Sequence, residues 1–220
     1  AGMPVEDTII CPVGGETFQV TGTVSCSTMG RFLSMQPVTS CDFITRLPIC
    51  PTNKLPVYKN FSETDVTELT TLINDSDIKS AAAVSPYFAA YKIEEKLSSQ
   101  EDFTSFILLQ QGLWYQPAAT FDNVDYLTAY HDAVKRIIAL DDVKGKAFWL
   151  GSEAFLHIRK NNLEQARLNI EKMKAENTDS NDYLTSYIAA LDYCLNPSDT
   201  TLCQPQSMIR DHEVRAVKKD

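Results

Sequence analysis

Apolar positions recur at intervals of three and four from about residue 62 onward, and at no fixed interval before it. Val134, Ile137 and Ile138 make one such stripe; Phe148, Phe155 and Ile158 make a second; Leu163, Ala166, Ile170 and Met173 make a third. A period near 3.6 marks amphipathic helices. The pattern predicts helices near 62–74, 77–83, 86–98, 101–115, 122–140, 143–160, 162–175, 180–195 and 205–216. Ser62-Glu63-Thr64-Asp65 carries an acid at the capping-box position, and Ser85-Pro86 places a cap ahead of a proline at the first helical position. Short helices with short connections form antiparallel hairpins, packed as a bundle or a short solenoid.

Before residue 62 the texture differs. Residues 1–61 hold six of the ten prolines, five of the eight glycines and four of the six cysteines. Between them lie short β-branched or apolar runs at 8–10, 17–20, 22–24 and 55–58. Such punctuated runs read as short strands and turns. The expected fold is therefore α+β but mainly α. A β- and turn-rich unit over 1–61 precedes an all-helical domain over 62–220.

Charge divides at the same place. Residues 1–61 carry four acids and four bases, whereas 62–220 carry 25 acids and 16 bases, so the whole net charge of −9 lies in the helical part. An acidic surface repels phosphate backbones, which argues against nucleic acid as a partner. No apolar run approaches the roughly 20 residues that span a bilayer, so no transmembrane segment is expected. The chain opens Ala1-Gly2-Met3. That start fits a mature chain from which a signal peptide has been removed, or residues added ahead of a trimmed one.

Cys11-Pro12-Val13-Gly14 and Cys50-Pro51-Thr52-Asn53 resemble the two Cys-Pro-x-Cys knuckles of a zinc ribbon, with Gly14 and Asn53 where the second ligand of each would stand. In a ribbon the knuckles face each other, so the resemblance implies a Cys11–Cys50 disulfide in place of the metal, with Cys26–Cys41 closing the hairpin between. This nested pattern is one of three connectivities open to four cysteines. Cys194 and Cys203 flank an Asn-Pro turn between helices and suit a local bridge. A staple of disulfides in a turn-rich segment belongs to an oxidising compartment, so the chain is expected to be periplasmic or secreted and free of cofactors. The competing reading is a zinc site built from Cys11, Cys26, Cys41 and Cys50 in a cytosolic adaptor.

Three stretches together, Cys11–Phe18, Leu47–Asn53 and Val57–Glu63 with its Tyr-Lys-Asn-Phe-Ser exit, resemble an uncharacterised bacterial family. In that family a degenerate zinc-ribbon-like unit precedes tetratricopeptide-like helices. The resemblance covers about 50 residues and brings no reaction with it. Residues 147–178 resemble one degenerate tetratricopeptide repeat, with the small residues Ala154 and Ala166 at positions that let two helices approach. Tyr183-Leu-Thr-Ser-Tyr187 echoes Tyr126-Leu-Thr-Ala-Tyr130.

No catalytic constellation stands out. His157 falls on an apolar helix face, and His131 and Asp132 are adjacent and so point apart on a helix. No phosphate loop and no Gly-x-Ser-x-Gly occur. Glu94-Glu95 and Asp141-Asp142 are acid pairs of the kind solvated faces carry, and Asn60 and Asn74 begin glycosylation triplets. Aromatics are denser between 87 and 115 than elsewhere. Of these, Tyr87, Tyr91, Trp114 and Tyr115 are the candidate partner-binding residues, since Tyr and Trp dominate interface energetics. The expectation is a non-catalytic protein-interaction module of the bacterial cell envelope, binding a protein or peptide. The alternatives are a hydrolase-like enzyme drawing on His131, His157 or His212, and a structural subunit of an envelope assembly.

Overall fold

Two strands of eight residues, β1 (Met3–Ile10) and β2 (Thr17–Val24), pair antiparallel from Met3↔Val24 to Ile10↔Thr17 without a bulge. A second hairpin follows, β3 (Thr28–Arg31) with β4 (Pro37–Thr39). The computed structural model describes residues 2–41 and 47–217. Among these, ten α-helices follow the strands: α1 (Glu63–Leu72), α2 (Ser76–Val84), α3 (Pro86–Glu94), α4 (Asp102–Tyr115), α5 (Pro117–Thr120), α6 (Val124–Ala139), α7 (Lys146–Arg159), α8 (Leu163–Glu176), α9 (Asp182–Leu195) and α10 (Ile209–Val217). With 55% helix against 13% strand the fold is α+β and mainly α.

Several boundaries differ from the sequence expectation for identifiable reasons. The 55–58 run is no strand; it contributes only an Ile49↔Pro56 bridge, because proline cannot donate to a ladder. The β3–β4 hairpin lies where no alternation announced it. Pro117 starts a separate four-residue helix. The last helix begins at Ile209 because a 3-10 turn (Thr200–Cys203) and a Gln204–Ser207 turn occupy its expected start.

The cysteines form three disulfides: Cys11–Cys50, Cys26–Cys41 and Cys194–Cys203. The four cysteines of the zinc alternative therefore fall into two covalent pairs. A sulfur shared with another sulfur is not the thiolate that zinc binds, so that ligand set does not form.

Strands give way to helices at residue 62, but the compact units are divided elsewhere. The first comprises Ala1–Cys26 and Cys41–Ile137, and the second Ser27–Ser40 and Ile138–Asp220.

In the first unit one core runs from the Cys-Pro turns into the helices. Cys11, Cys50, Leu55, Leu69, Ile78 and Ile93 pack together, with Phe18, Val57 and Phe61 against them. The two turns are built alike: Cys11 N–H donates to Glu16 O and Gly15 N–H to Cys11 O, as Cys50 N–H donates to Leu55 O and Lys54 N–H to Cys50 O. Each turn needs a left-handed residue, supplied by Gly14 and Gly15 in one and by Lys54 in the other. At the start of α1, Ser62 and Asp65 form the capping box. Further on, Gly112 lets α6 approach α4, since a Cβ there would meet the Tyr126 hydroxyl, which donates to Leu109 O at 2.5 Å.

In the second unit α7 and α8 form a hairpin turned by the left-handed Asn161. Ala154 and Ala166 are fully buried, and α9 packs on both helices. A Cβ at Gly151 would strike Tyr187 of α9 and Met173 of α8. Leu33, between β3 and β4, is fully buried in this unit: Tyr187 Oη donates to its carbonyl at 2.5 Å and its own N–H donates to Ser207 O at 3.0 Å. The sequence echo is half structural. Tyr130 and Tyr187 are both fully buried and hydrogen-bonded, whereas Tyr126 is buried and Tyr183 is 40% exposed.

Candidate functional site

A concavity lies within the first unit. One wall is a stripe on α4, where Phe103, Ile107, Gln111 and Tyr115 follow one another at intervals of four, the spacing that stacks side chains on one helix face. The opposite wall is the segment from Leu47 and Pro48 to Val57, Tyr58 and Lys59, and Tyr87 of α3 contributes an edge. The cleft encloses about 450 Å³. A second recess of about 230 Å³ shares Leu47, Tyr87 and Tyr115 and extends to Pro86 and Gln116. Sharing these three residues makes the two one groove. Phe103, 44% exposed, sits at its rim.

Glu94 fixes the walls. Its carboxylate is fully buried at the end of α3. It accepts from Tyr58 Oη at 2.8 Å, from Lys59 Nζ at 2.8 Å and from Glu101 N–H at 3.0 Å. One acid thus holds the exit segment on one side of the groove and the start of α4 on the other. Burial is the main cause that pushes the Tyr58 phenol far above its ordinary value, and the Glu94 hydrogen bond adds to it. The neighbouring Asp65 accepts from Ser99 Oγ at 2.5 Å and from Ser62 N–H at 2.9 Å, and these bonds, Ser99 first, lower its pKa. At the far end Ser85, the cap of α3, donates to Gln116 Oε1. Lys59 is the charged residue of the lining, and Glu94 matches it. The groove therefore offers aromatic and aliphatic surface with the polar groups of Thr104 and Gln111 and little net charge.

Of the four candidate partner-binding residues, Tyr87 and Tyr115 line this groove. Tyr91 is buried beside it: its ring stacks on Phe88 at 6.0 Å and its hydroxyl meets Arg136 of α6. Trp114 is not among the lining residues; it stands edge-on to Tyr115, with ring centroids 6.2 Å apart. Sequence reasoning missed Phe103, Ile107 and Gln111, though their spacing from Tyr115 was readable. The Leu47–Lys59 wall carried no signal, because it is brought there by the Cys-Pro turn and Glu94.

The histidines occupy separate settings. His131 stands edge-on to Tyr130 at 5.7 Å. His157, buried in the second unit, lies 3.4 Å from Glu153, itself held by Asn169 at 3.2 Å. His212 bonds Leu202 O at 2.9 Å. No family model, curated protein or solved structure matches the chain.

Proposed function

We propose that this chain is a non-catalytic protein-interaction module of the bacterial cell envelope, and that its groove takes an extended peptide segment of a protein partner. The observation that carries this reading is the α4 stripe, Phe103–Ile107–Gln111–Tyr115, facing the Leu47–Lys59 segment across a preformed cleft. Apolar and aromatic surface with a few polar groups is what peptide-binding grooves offer. The matched charge of Lys59 favours a bound segment that is itself uncharged and carries apolar, aromatic or proline anchors. The envelope part of the reading is supported by three disulfides, which persist in oxidising compartments. No helix among the described residues is long and apolar enough to cross a membrane.

The test is selection of displayed random peptides on the full oxidised chain, followed by titration of the enriched peptides against Tyr115→Ala and Ile107→Glu. Enriched peptides that share uncharged anchors and bind each variant at least about tenfold more weakly support the reading, since a buried aromatic anchor is worth about 2 kcal/mol. Enriched peptides that bind both variants as tightly as the parent, or no enrichment at all, would refute it.

A further inference from the structure

We infer that the Cys26–Cys41 disulfide is a thiol-exchange site, and that its reduction by a dithiol loosens the Ser27–Ser40 segment within the second unit. The inference goes beyond the peptide-binding reading and does not rest on it.

Cys26 and Cys41 belong to the first unit, whereas the residues between them belong to the second. The disulfide therefore ties together the two points at which the chain leaves the first unit for this segment and returns from it. It closes a loop of sequence separation 15. At the base of that loop Ser40 N–H donates to Ser27 O and Ser27 N–H to Ser40 Oγ, each at 2.9 Å.

Within the second unit the segment is held by non-covalent contacts. Leu33 and Met35 are buried. Ser152 Oγ donates to Ser34 O at 3.0 Å and Arg210 Nη1 to Met29 O at 3.2 Å, and Phe32 bridges to Met208. These contacts, with those of Tyr187 and Ser207 to Leu33, must offset the entropy of ordering the segment. A disulfide lowers that cost by restricting the open chain. Breaking it favours a local opening in which the segment leaves its place while the rest stays folded.

Access makes the site selective. Cys26 is exposed and Cys41 half-buried, whereas the other four cysteines are buried. The Cys41 sulfur is also screened by the chain start, since a Cβ at Gly2 would collide with Cys41 Sγ. A thiolate therefore reaches Cys26 first, and exposed disulfides are the labile ones. One thiolate of the dithiol attacks Cys26 Sγ. A mixed disulfide forms, the Cys26–Cys41 bond breaks, and its electron pair leaves on Cys41 Sγ, which takes a proton from water. The second thiolate of the dithiol then attacks its partner sulfur in the mixed disulfide and expels the Cys26 thiolate, which is protonated in turn. The chain gains two electrons and two protons, and the dithiol leaves as a cyclic disulfide. Cys11–Cys50 and Cys194–Cys203 keep both units crosslinked throughout.

Graded ratios of reduced to oxidised dithiothreitol, applied to the native full chain, test the proposal. Alkylation with mass mapping reports which bonds are open, and amide hydrogen exchange in the same buffers reports the segment. Cys26 and Cys41 should alkylate together at ratios that leave the other four cysteines oxidised. In that species the N–H groups of Leu33 and Ser40, bonded to Ser207 O and Ser27 O, should exchange at least about tenfold faster than in the oxidised chain. The amides of α4 should be unchanged, and reoxidation should restore the slow rates. The double variant Cys26→Ser/Cys41→Ser should show the fast rates without reductant. If it fails to fold, the selectively reduced parent decides alone. Opening of a buried disulfide at the same ratio or before overturns the proposal. So do Leu33 and Ser40 amides that exchange no faster once Cys26–Cys41 is open.

Discussion

Asn53 Nδ2 donates to the carbonyl of Val13 at 2.9 Å, joining one Cys-Pro turn to the other. The same amide nitrogen lies 3.5 Å from Cys11 Sγ, and its oxygen accepts Leu55 N–H at 3.0 Å. Asn53 stands where the second cysteine of a metal knuckle would, and it crosslinks the turns through hydrogen bonds. Glu16 adds a parallel link, accepting from Thr52 N–H and Oγ1, each at 3.0 Å. Asn53→Ala should cost about 1–3 kcal/mol, because it strands a part-buried carbonyl and a part-buried N–H. Asn53→Asp keeps the Leu55 bond but sets a carboxylate oxygen against the Val13 carbonyl, so it should cost at least as much as alanine. Urea unfolding of the three proteins with disulfides intact measures the order.

Glu94→Gln should destabilise the chain by about 1–3 kcal/mol, since it leaves Lys59, about a quarter exposed, without its buried counter-charge. Because Glu94 also holds both groove walls, peptides selected on the parent should lose affinity for this variant although Glu94 does not line the groove. A destabilised variant with unchanged peptide affinity would show that the walls stand without it.

Acid should unfold the first unit through Asp65. Its folded pKa is lowered, chiefly by the Ser99 hydrogen bond, so its stabilisation is fully present above the unfolded value near 4 and is lost as pH falls through the folded value. Between pH 5 and 2, stability should fall less steeply in Asp65→Asn than in the parent. At the alkaline end the sign reverses. Tyr58 and Tyr126 are raised, mainly by burial, so their contribution is present below about pH 10 and declines above it. Tyr126→Phe should flatten the alkaline limb.

The three disulfides should reduce in order of access. Both sulfurs of Cys11–Cys50 are buried, as are those of Cys194–Cys203, whereas Cys26 is exposed and Cys41 half-buried. Thiol attack requires access to a sulfur. Graded reduction of the native protein followed by alkylation and peptide mass mapping should label Cys26 and Cys41 first. Labelling of Cys194 or Cys11 ahead of them would contradict the burial. Removing Cys194–Cys203 by a double serine substitution should cost about 3 kcal/mol or less, the entropy of so short a loop.

What was readable in the sequence depended on how local its cause was. Helices α7 and α8 announced themselves because Phe148, Phe155 and Ile158 in the one, and Leu163, Ala166, Ile170 and Met173 in the other, obey a period set within their own helix. The pairing of Cys11 with Cys50 was implied by the resemblance of the two Cys-Pro turns to the facing knuckles of a zinc ribbon, and the two turns do fold alike. The β3–β4 hairpin was implied only by the ribbon resemblance, which sets a hairpin between Cys26 and Cys41, and not by any pattern in its own residues. Thr28-Met-Gly-Arg does not alternate, Gly30 adopts a φ of 135°, and Leu33 is buried by Tyr187 and Ser207, more than 150 residues on. In the groove, aromatic identity alone did not separate Tyr87 and Tyr115, which line it, from Tyr91, which Arg136 and Phe88 cover. That difference is decided by α6, which no pattern within α3 reveals.

The membership of Ser27–Ser40 in the second unit sets a schedule for synthesis. That segment leaves the ribosome 98 residues before Ile138, the first residue of the rest of its unit, a delay of roughly 5–20 s at ordinary elongation rates. Throughout that interval the burial partners of Leu33 do not yet exist, while the first unit can complete itself. Once Cys26 and Cys41 are joined, the waiting segment is a closed loop rather than a long tether, and its ends are already together when the last helices arrive. Oxidation before the chain is finished would thus shorten the search that completes the second unit, and the order in which thiols meet their oxidant becomes part of how this protein is made.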